Sequence, residues 1–243
     1  MLPKIDVPIY DLILPLSKKN IKFRPFLVKE EKILLMAVES QDDNAINLAI
    51  KQILNNCCIT EINIDDLPIL DLEFFFLNLR ARSIGELIEL QYKCNNIIPE
   101  KEEDDKTCGN QVKLSFNALE VTPEIEDNHS NKIQLTDKLG LMMKYPSFTL
   151  SEKIKGLDEI EGIIKIIVSC VDYIYDDETL YYSKDISEKE MIEFIDSLTR
   201  EQFTKVQEFF ETIPKLKKDL KFICGKCKYE ETLILEGIQS FFV

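Results

Sequence analysis

Apolar residues recur at helical spacing along 28–39, where Ile33, Leu34, Ala37 and Val38 share one face, and this predicts a first helix. Asp42 or Asp43 suits the start of a second helix running to Asn55, with Ile46, Ala49, Ile50 and Ile53 aligned. Asp65 or Asp66, followed by Leu67-Pro68, predicts a third helix carrying Leu70, Phe74 and Leu77, because proline suits a first turn. Arg80 and Arg82 then fall near its negative end, and Gly85 stops it. Ahead of these helices, residues 5–26 are broken by Pro8, Pro15 and Pro25 into short extended pieces, a lead-in arm.

After Gly85 the period shortens to two. Ile88, Leu90 and Tyr92 alternate with Leu87, Glu89 and Gln91; Val112, Leu114 and Phe116 alternate with Lys113, Ser115 and Asn117. These runs read as the two arms of a hairpin. The loop between them holds Glu100-Lys101-Glu102-Glu103-Asp104-Asp105, a hydrated insertion. Residues 118–150 read as further strands and turns, with Ile133, Leu135, Leu139, Leu141 and Met143 inward. From Asp158 the pattern is helical again, with a stripe of Ile160, Ile163, Ile164, Ile167, Val168 and Val171. Asp158 with Glu161, Ser187 with Glu190 and Thr199 with Gln202 carry capping-box spacing, which predicts three helix starts. Phe222-Ile223 leads into a cysteine pair, and residues 231–236 alternate out of it.

Composition narrows the function classes. Lys and Arg number 30 against 44 Asp and Glu, a formal charge of −14, so the chain repels phosphate backbones and general nucleic-acid binding is disfavoured. The cluster Lys215, Lys217, Lys218 and Lys221 reads as a solvated face before a strand. Glycine is scarce, and no glycine-rich phosphate loop, zinc-protease helix, nucleophile elbow or nicotinamide fingerprint is present. The single histidine, His129, lies in a polar turn and reads as structural. The acidic runs Glu30-Glu31, Asp65-Asp66 and Asp176-Asp177-Glu178 read as surface or helix caps. The chain shows no membrane-length apolar run, and residues 1–6 are too short and charged for a secretory signal, so a reducing cytoplasm is expected.

In that setting cysteine favours metal over disulfide. Cys224-Gly225-Lys226-Cys227 places two thiols on one tight turn, half of a tetrahedral site, with Gly225 expected to relieve crowding where amides turn toward sulfur. Cys94 and Cys108 sit at the tips of the predicted hairpin and complete a set of four, although residues 95–107 between them depart from a compact knuckle. Four thiolates would form a closed structural zinc site that catalyses nothing. A redox C-x₂-C and buried metal-free thiols are the competing readings; the first lacks the strand–helix setting it needs. Cys57, Cys58 and Cys170 sit in apolar helical contexts and read as core.

Two features suggest contact surfaces. Arg24-Pro25-Phe26 before a charged helix start reads equally as a docking site or as a local salt bridge holding the arm. Phe74-Phe75-Phe76 point in different directions, so their helix is either enclosed or half of an interface, and Phe241-Phe242 pose the same question at the C-terminus. Arg24, Phe26, Phe75 and Phe241 are the interface candidates.

Ile5-Asp6-Val7-Pro8, the long motif Phe23-Arg24-Pro25-Phe26-Leu27-Val28-Lys29-Glu30-Glu31-Lys32, and the stretch from Leu70-Asp71-Leu72-Glu73 to Leu79-Arg80-Ala81-Arg82-Ser83 resemble the baseplate hub assembly proteins of T4-like contractile-tailed bacteriophages. Phe209-Phe210 to Pro214-Lys215-Leu216, Cys224-Gly225-Lys226-Cys227, and the run from Gly237 to Phe242 are similar to that family's ending. The resemblance implies a non-enzymatic hub subunit or assembly factor, found in the virion tail baseplate and in the host cytoplasm during assembly. It also implies other baseplate hub proteins as partners.

The expected fold is α+β, with helical segments flanking a small antiparallel zinc-ribbon-like β region. The expected divisions are an arm and helical region at 1–86, a β region at 87–150, a helical region at 151–218, and a C-terminal hairpin at 219–243 packing on 87–117. Expected zinc ligands are Cys94, Cys108, Cys224 and Cys227; no small-molecule substrate and no membrane are expected. The alternative is a zinc-ribbon regulatory module binding nucleic acid or RNA polymerase, for which Lys226, Lys228 and Tyr229 supply the basic and aromatic face.

Overall fold

The computed structural model describes residues 5–98, 106–153, 158–237 and 240. The Phe241-Phe242 terminus, with its candidate contact residue Phe241, and the charged run 100–105 lie outside the described residues. In chain order come β1 (Tyr10–Ile13), β2 (Asn20–Phe23), α1 (Val28–Glu39), α2 (Asp43–Cys57), α3 (Ile69–Ser83), β3 (Leu87–Lys93), β4 (Ile97–Ile98), β5 (Lys106–Thr107), β6 (Gln111–Asn117) and β7 (Pro123–Glu124). These are followed by β8 (Lys132–Gln134), β9 (Gly140–Met143), α4 (Phe148–Lys153), α5 (Glu159–Cys170), β10 (Val171–Tyr175), β11 (Leu180–Tyr182), α6 (Glu188–Asp196), α7 (Arg200–Glu211), β12 (Lys215–Ile223) and β13 (Glu230–Glu236). The architecture is α+β. The chain divides into two compact units, one from Met1–Ile62, Glu73–Pro123 and Lys215–Val243, the other from Asn63–Leu72 and Glu124–Pro214.

In the first unit the proline-punctuated arm is an antiparallel hairpin, β1 on β2, in register Tyr10↔Phe23 to Ile13↔Asn20. α1 spans the residues its periodicity predicts, but it is only partly covered: Val38 is exposed, as are Leu35 and Met36. α2 opens on Asp42, whose carboxylate accepts from the Asn44 amide at 3.0 Å. The Phe-rich part of α3 is enclosed: Phe75, Phe76, Leu77 and Leu79 lie on different sides of the helix and all are buried. β3 and β6 form the expected hairpin, Leu87↔Asn117 to Lys93↔Gln111, and Ile88, Leu90 and Phe116 are its buried positions. β12 and β13 form a second hairpin, Lys217↔Glu236 to Ile223↔Glu230. Leu216, Leu220 and Phe222 point inward on β12, which leaves Lys215 and Lys221 in solvent.

In the second unit one apolar cluster joins Ile133, Leu135, Leu141, Met143, Ile167, Cys170, Ile174, Met191, Ile195, Val206 and Phe209. It is bounded by a four-stranded antiparallel sheet in the order β11-β10-β9-β8. α6 and α7 begin at the predicted capping boxes: Ser187 and Glu190 bond reciprocally, as do Thr199 and Gln202.

Three expectations fail here. The Asp65-Asp66 start is a short 3₁₀ turn, Ile64–Asp66, capped by Asn63. α3 begins later, with the Pro68 carbonyl accepting from the Leu72 amide at 3.2 Å. Proline therefore precedes the helix, consistent with a residue whose own N–H is missing. The stripe through Val171 breaks: α5 ends at Cys170, Val171 starts β10, and Ile160 and Ile163 are exposed. The stretch 151–218, read as helical, thus also carries β10, β11 and the first residues of β12.

Gly140 shows why one position admits no side chain. Its strand partner Tyr175 lies across it, so a Cβ would sit 2.2 Å from the Tyr175 hydroxyl oxygen and 2.6 Å from the Ile133 carbonyl oxygen. Backbone cannot yield as a flexible side chain can. Gly140→Ala is expected to destabilise the protein by about 1–3 kcal/mol, read as a lowered urea midpoint with unchanged slope.

Candidate metal centre

β3 and β6 deliver Cys94 and Cys108; β12 and β13 deliver Cys224 and Cys227. All four Sγ atoms lie within 4.8 Å of one another. Cys94 Sγ is 3.7 Å from Cys227 Sγ, and Cys108 Sγ is 3.7 Å from Cys224 Sγ. These separations are far beyond a disulfide bond. They match the edge of a tetrahedron with metal–sulfur bonds of about 2.3 Å, which is about 3.8 Å. Cys94, Cys108 and Cys224 are buried, and Ile98 packs against them.

The two halves have the same backbone pattern. In the C-terminal turn the Cys224 amide donates to the Tyr229 carbonyl at 2.8 Å, and the Lys228 amide to the Cys224 carbonyl at 2.9 Å. In the other half the Cys94 amide donates to the Asn110 carbonyl at 2.9 Å, and the Gly109 amide to the Cys94 carbonyl at 3.0 Å. Gly109 and Lys228, each just after the second cysteine of its pair, share left-handed φ values of 63° and 62°. Superposing the patterns aligns Asn95 and Asn96 with Gly225 and Lys226. The Cys108 amide donates to the Asn96 carbonyl at 2.7 Å, so residues 97–107 leave and return at one point. β4 and β5 pair within that excursion, Ile97↔Thr107 and Ile98↔Lys106. The first pair is therefore a C-x₂-C knuckle with a small hairpin inserted before its second cysteine. Two-residue strands carry no periodicity, which is why the sequence showed only a long loop.

Amides are aimed at every sulfur. The Asn96 amide points at Cys94, Asn110 at Cys108, Lys226 and Cys227 at Cys224, and Tyr229 at Cys227. Cys224 and Cys227 are held low by these amides, Cys224 down to about 6. For Cys94 the Asn96 amide is outweighed by burial and the neighbouring thiols, which push it up to about 12; Cys108 is raised for the same reasons. Four like groups this close cannot all ionise unaided. The Asn110 side-chain amide also reaches Cys224 Sγ at 3.6 Å, and Lys226 Nζ reaches the Cys108 carbonyl at 3.2 Å. Such donors orient ligands and offset their charge. Asn96, Asn110 and Tyr229 carried no sequence signal for this role; the glycine after Cys108 was the available hint.

Gly225 corrects one expectation. A Cβ there meets nothing within 4 Å and its φ is ordinary, so the turn does not require glycine at that position. Its strained position is Lys228. Cys57, Cys58 and Cys170 stand apart from the cluster, with Cys57 raised to about 11 and Cys170 to about 12 by burial, as core thiols should be.

The family model described as T4 bacteriophage base plate protein matches residues 7–243 of this chain. The chain belongs to that family. It is similar to the baseplate hub assembly protein gp26 of Enterobacteria phage T4, 22% identical over 234 residues, which cover 96% of this chain and 97% of that protein. No solved structure matches. The resemblance carried by the Phe23–Lys32 motif and the C-terminal run is thus borne out.

The Phe23–Lys32 motif is spent on the chain's own core. Arg24 donates to the Pro25 carbonyl at 2.9 Å, to Glu30 Oε1 at 3.0 Å and to the Asn56 carbonyl at 3.0 Å, with Cys57 Sγ at 3.6 Å. Glu30 is fully buried and also accepts from the Leu27 amide at 2.9 Å, closing the first turn of α1. Phe26 is buried, and its amide donates to Ser83 Oγ at 3.0 Å. Phe75 is fully buried, edge-on to Phe23 at 5.4 Å between centroids. Of the two alternatives that the sequence leaves open for each, the salt bridge holding the arm is present at Arg24 and the enclosed helix at Phe75, and Phe26 is buried beside them. His129 is likewise structural, with Nδ1 2.9 Å from Thr212 Oγ1, Nε2 3.1 Å from the Tyr145 hydroxyl, and its ring stacked on Tyr145.

Burial raises the Glu30 carboxyl, but Arg24, the Leu27 amide and Lys29 outweigh it and hold the group below its ordinary value. A depressed carboxyl contributes stability above its unfolded pKa of about 4.3, lost as pH falls through the folded value. Glu30→Gln should lower stability at pH 7 and flatten the acid limb of urea-measured stability against pH. Arg24→Ala, which strands a buried charge, should cost about 3 kcal/mol or more at neutral pH.

Proposed function

We propose that this chain is a non-enzymatic baseplate hub subunit or hub assembly factor whose fold is fastened by a structural zinc ion on Cys94, Cys108, Cys224 and Cys227. One observation carries the metal: two matched knuckles, each sulfur met by a backbone amide, converge at tetrahedral spacing. An all-thiolate set suits zinc, and four protein ligands leave no open position, so the ion's chemistry here is cross-linking. Paired knuckles on two hairpins support the zinc-ribbon-like reading of the β region. Such ions bind with on the order of 10 kcal/mol, comparable with a domain's whole net stability.

The baseplate role is supported by family membership and by near full-length similarity to a protein named for hub assembly. Other baseplate hub proteins are the partners this reading implies, and the virion tail baseplate is its location. Among the described residues no helix is long and apolar enough to cross a membrane. The arm can meet partners through the side chains it leaves outside. Ile5, Ile9 and Ile13 are 89%, 58% and 64% exposed, whereas Arg24 and Phe26 face inward.

Protein purified under reducing conditions should carry one zinc per chain by elemental analysis. Cys94→Ser with Cys224→Ser should remove it and lower the melting temperature, while Cys57→Ala retains it. Joining Asn96 directly to Cys108, without residues 97–107, should also retain it. Folded, metal-free protein indifferent to a chelator would overturn the zinc reading. Separately, Ile9→Asp with Ile13→Asp should leave melting unchanged but block hub assembly in infected cells lacking the wild-type chain; normal hubs would remove the arm as a contact.

A further inference from the structure

α5 and α6 pack side by side in the second unit and leave a groove of about 470 Å³ between them. Ile160 and Ile164, one turn apart on α5, and Ile192 on α6 line it. Ile160 is 76% exposed and its neighbour Ile163 is 46% exposed. This apolar strip is unusual beside helices whose other inward residues, Ile167, Met191 and Ile195, are buried. The remaining lining residues are charged: Glu161, Glu188 and Asp196, with Lys165 already bonded to Glu188. The rim thus keeps a net negative charge after its one cation is paired.

We propose that this groove docks an amphipathic helix of a partner protein, apolar on the buried face and rich in lysine or arginine along both flanks. The geometry favours a helix over a strand. Residues 160 and 164 form an i, i+4 ridge on one wall, and 188, 192 and 196 form another on the opposite wall. A third helix laid along two such ridges sets its own ridges into the space between them. Residues 188–196 span about 12 Å, so the contact is about two turns long. Charge selects the occupant: basic flanks meet Glu161, Glu188 and Asp196, whereas acidic flanks would be repelled. A second copy of this chain, at −14, is disfavoured by the same argument. The inference rests on neither the metal nor the baseplate reading.

The test uses the full chain and a fluorescent amphipathic helical peptide of leucine and lysine, with a leucine–glutamate peptide of the same pattern as control. Anisotropy should show saturable binding of the lysine peptide only. Ile160→Asp and Asp196→Lys, both at exposed positions, should each weaken it by about tenfold or more while leaving the melting temperature unchanged. Unchanged binding in both variants overturns the proposal, since attraction to the acidic surface elsewhere would then account for it. Equal binding of the glutamate peptide overturns the charge selection. Concentration-dependent self-association abolished by Ile160→Asp would assign the groove to a second copy instead.

Discussion

Four sulfur atoms drawn from stretches 116 and 133 residues apart in pairing are held within 4.8 Å of one another, and the first unit is organised around that convergence. The hairpins that carry them, β3–β6 and β12–β13, also touch through Tyr92, whose ring meets Phe222 edge-on at 5.2 Å and whose hydroxyl donates to Glu231 at 3.0 Å. A chain that departs after Cys108 and returns at Cys224 closes a very long loop. In the chain-entropy picture a permanent link across a loop of that length is worth about 4–5 kcal/mol. Thiols alone cannot supply such a link, because their mutual repulsion grows with each ionisation. The amides aimed at the sulfurs reduce that conflict, and a divalent cation would remove it.

The two knuckles suggest how an insertion is accommodated without disturbing a site. Cys108 and Asn96 are hydrogen-bonded neighbours, so the 97–107 excursion begins and ends at one point of the backbone. Added chain at such a closed base costs little beyond its own ordering. The same logic applies to the arm, although there the fastening is ionic: one buried carboxylate, Glu30, collects Arg24, Lys29 and the Leu27 amide. Arg24 bridges from that carboxylate to the end of α2, so a single guanidinium ties the hairpin exit, α1 and α2 together. The motif whose sequence read equally as a docking site or a salt bridge forms the salt bridge and braces the arm, and Ile5, Ile9 and Ile13 stay exposed on it.

Much of this could be read from residue order where local physics decides. α1 took its predicted bounds because its apolar period is unbroken between Pro25 and the polar turn at 40–42. α6 and α7 began at Ser187 and Thr199 because a capping box satisfies orphan amides locally. The β3–β6 hairpin followed from alternation in its two arms. The failures lie where local signals are degenerate. The apolar-rich run from Ile163 to Val171, interrupted only by Lys165 and Ser169, fits a helix or a buried strand, and the chain changes from one to the other at Cys170. Whether Phe75 and Phe26 are enclosed or meet a partner stayed open in the sequence, because sequence does not count how much core awaits them.

Sequence by itself determined which four cysteines would gather, the family and the kind of secondary structure in most segments. Each of these is written in residue identity, spacing or a motif of adjacent positions. Tertiary structure decided which groups meet. It made one knuckle out of Cys94 and Cys108 across an inserted hairpin, turned Arg24 inward onto Glu30, and left Ile160 outside while Ile167 went in. Those outcomes depend on contacts between residues far apart in the chain, and periodicity carries no information about the partner a face will find.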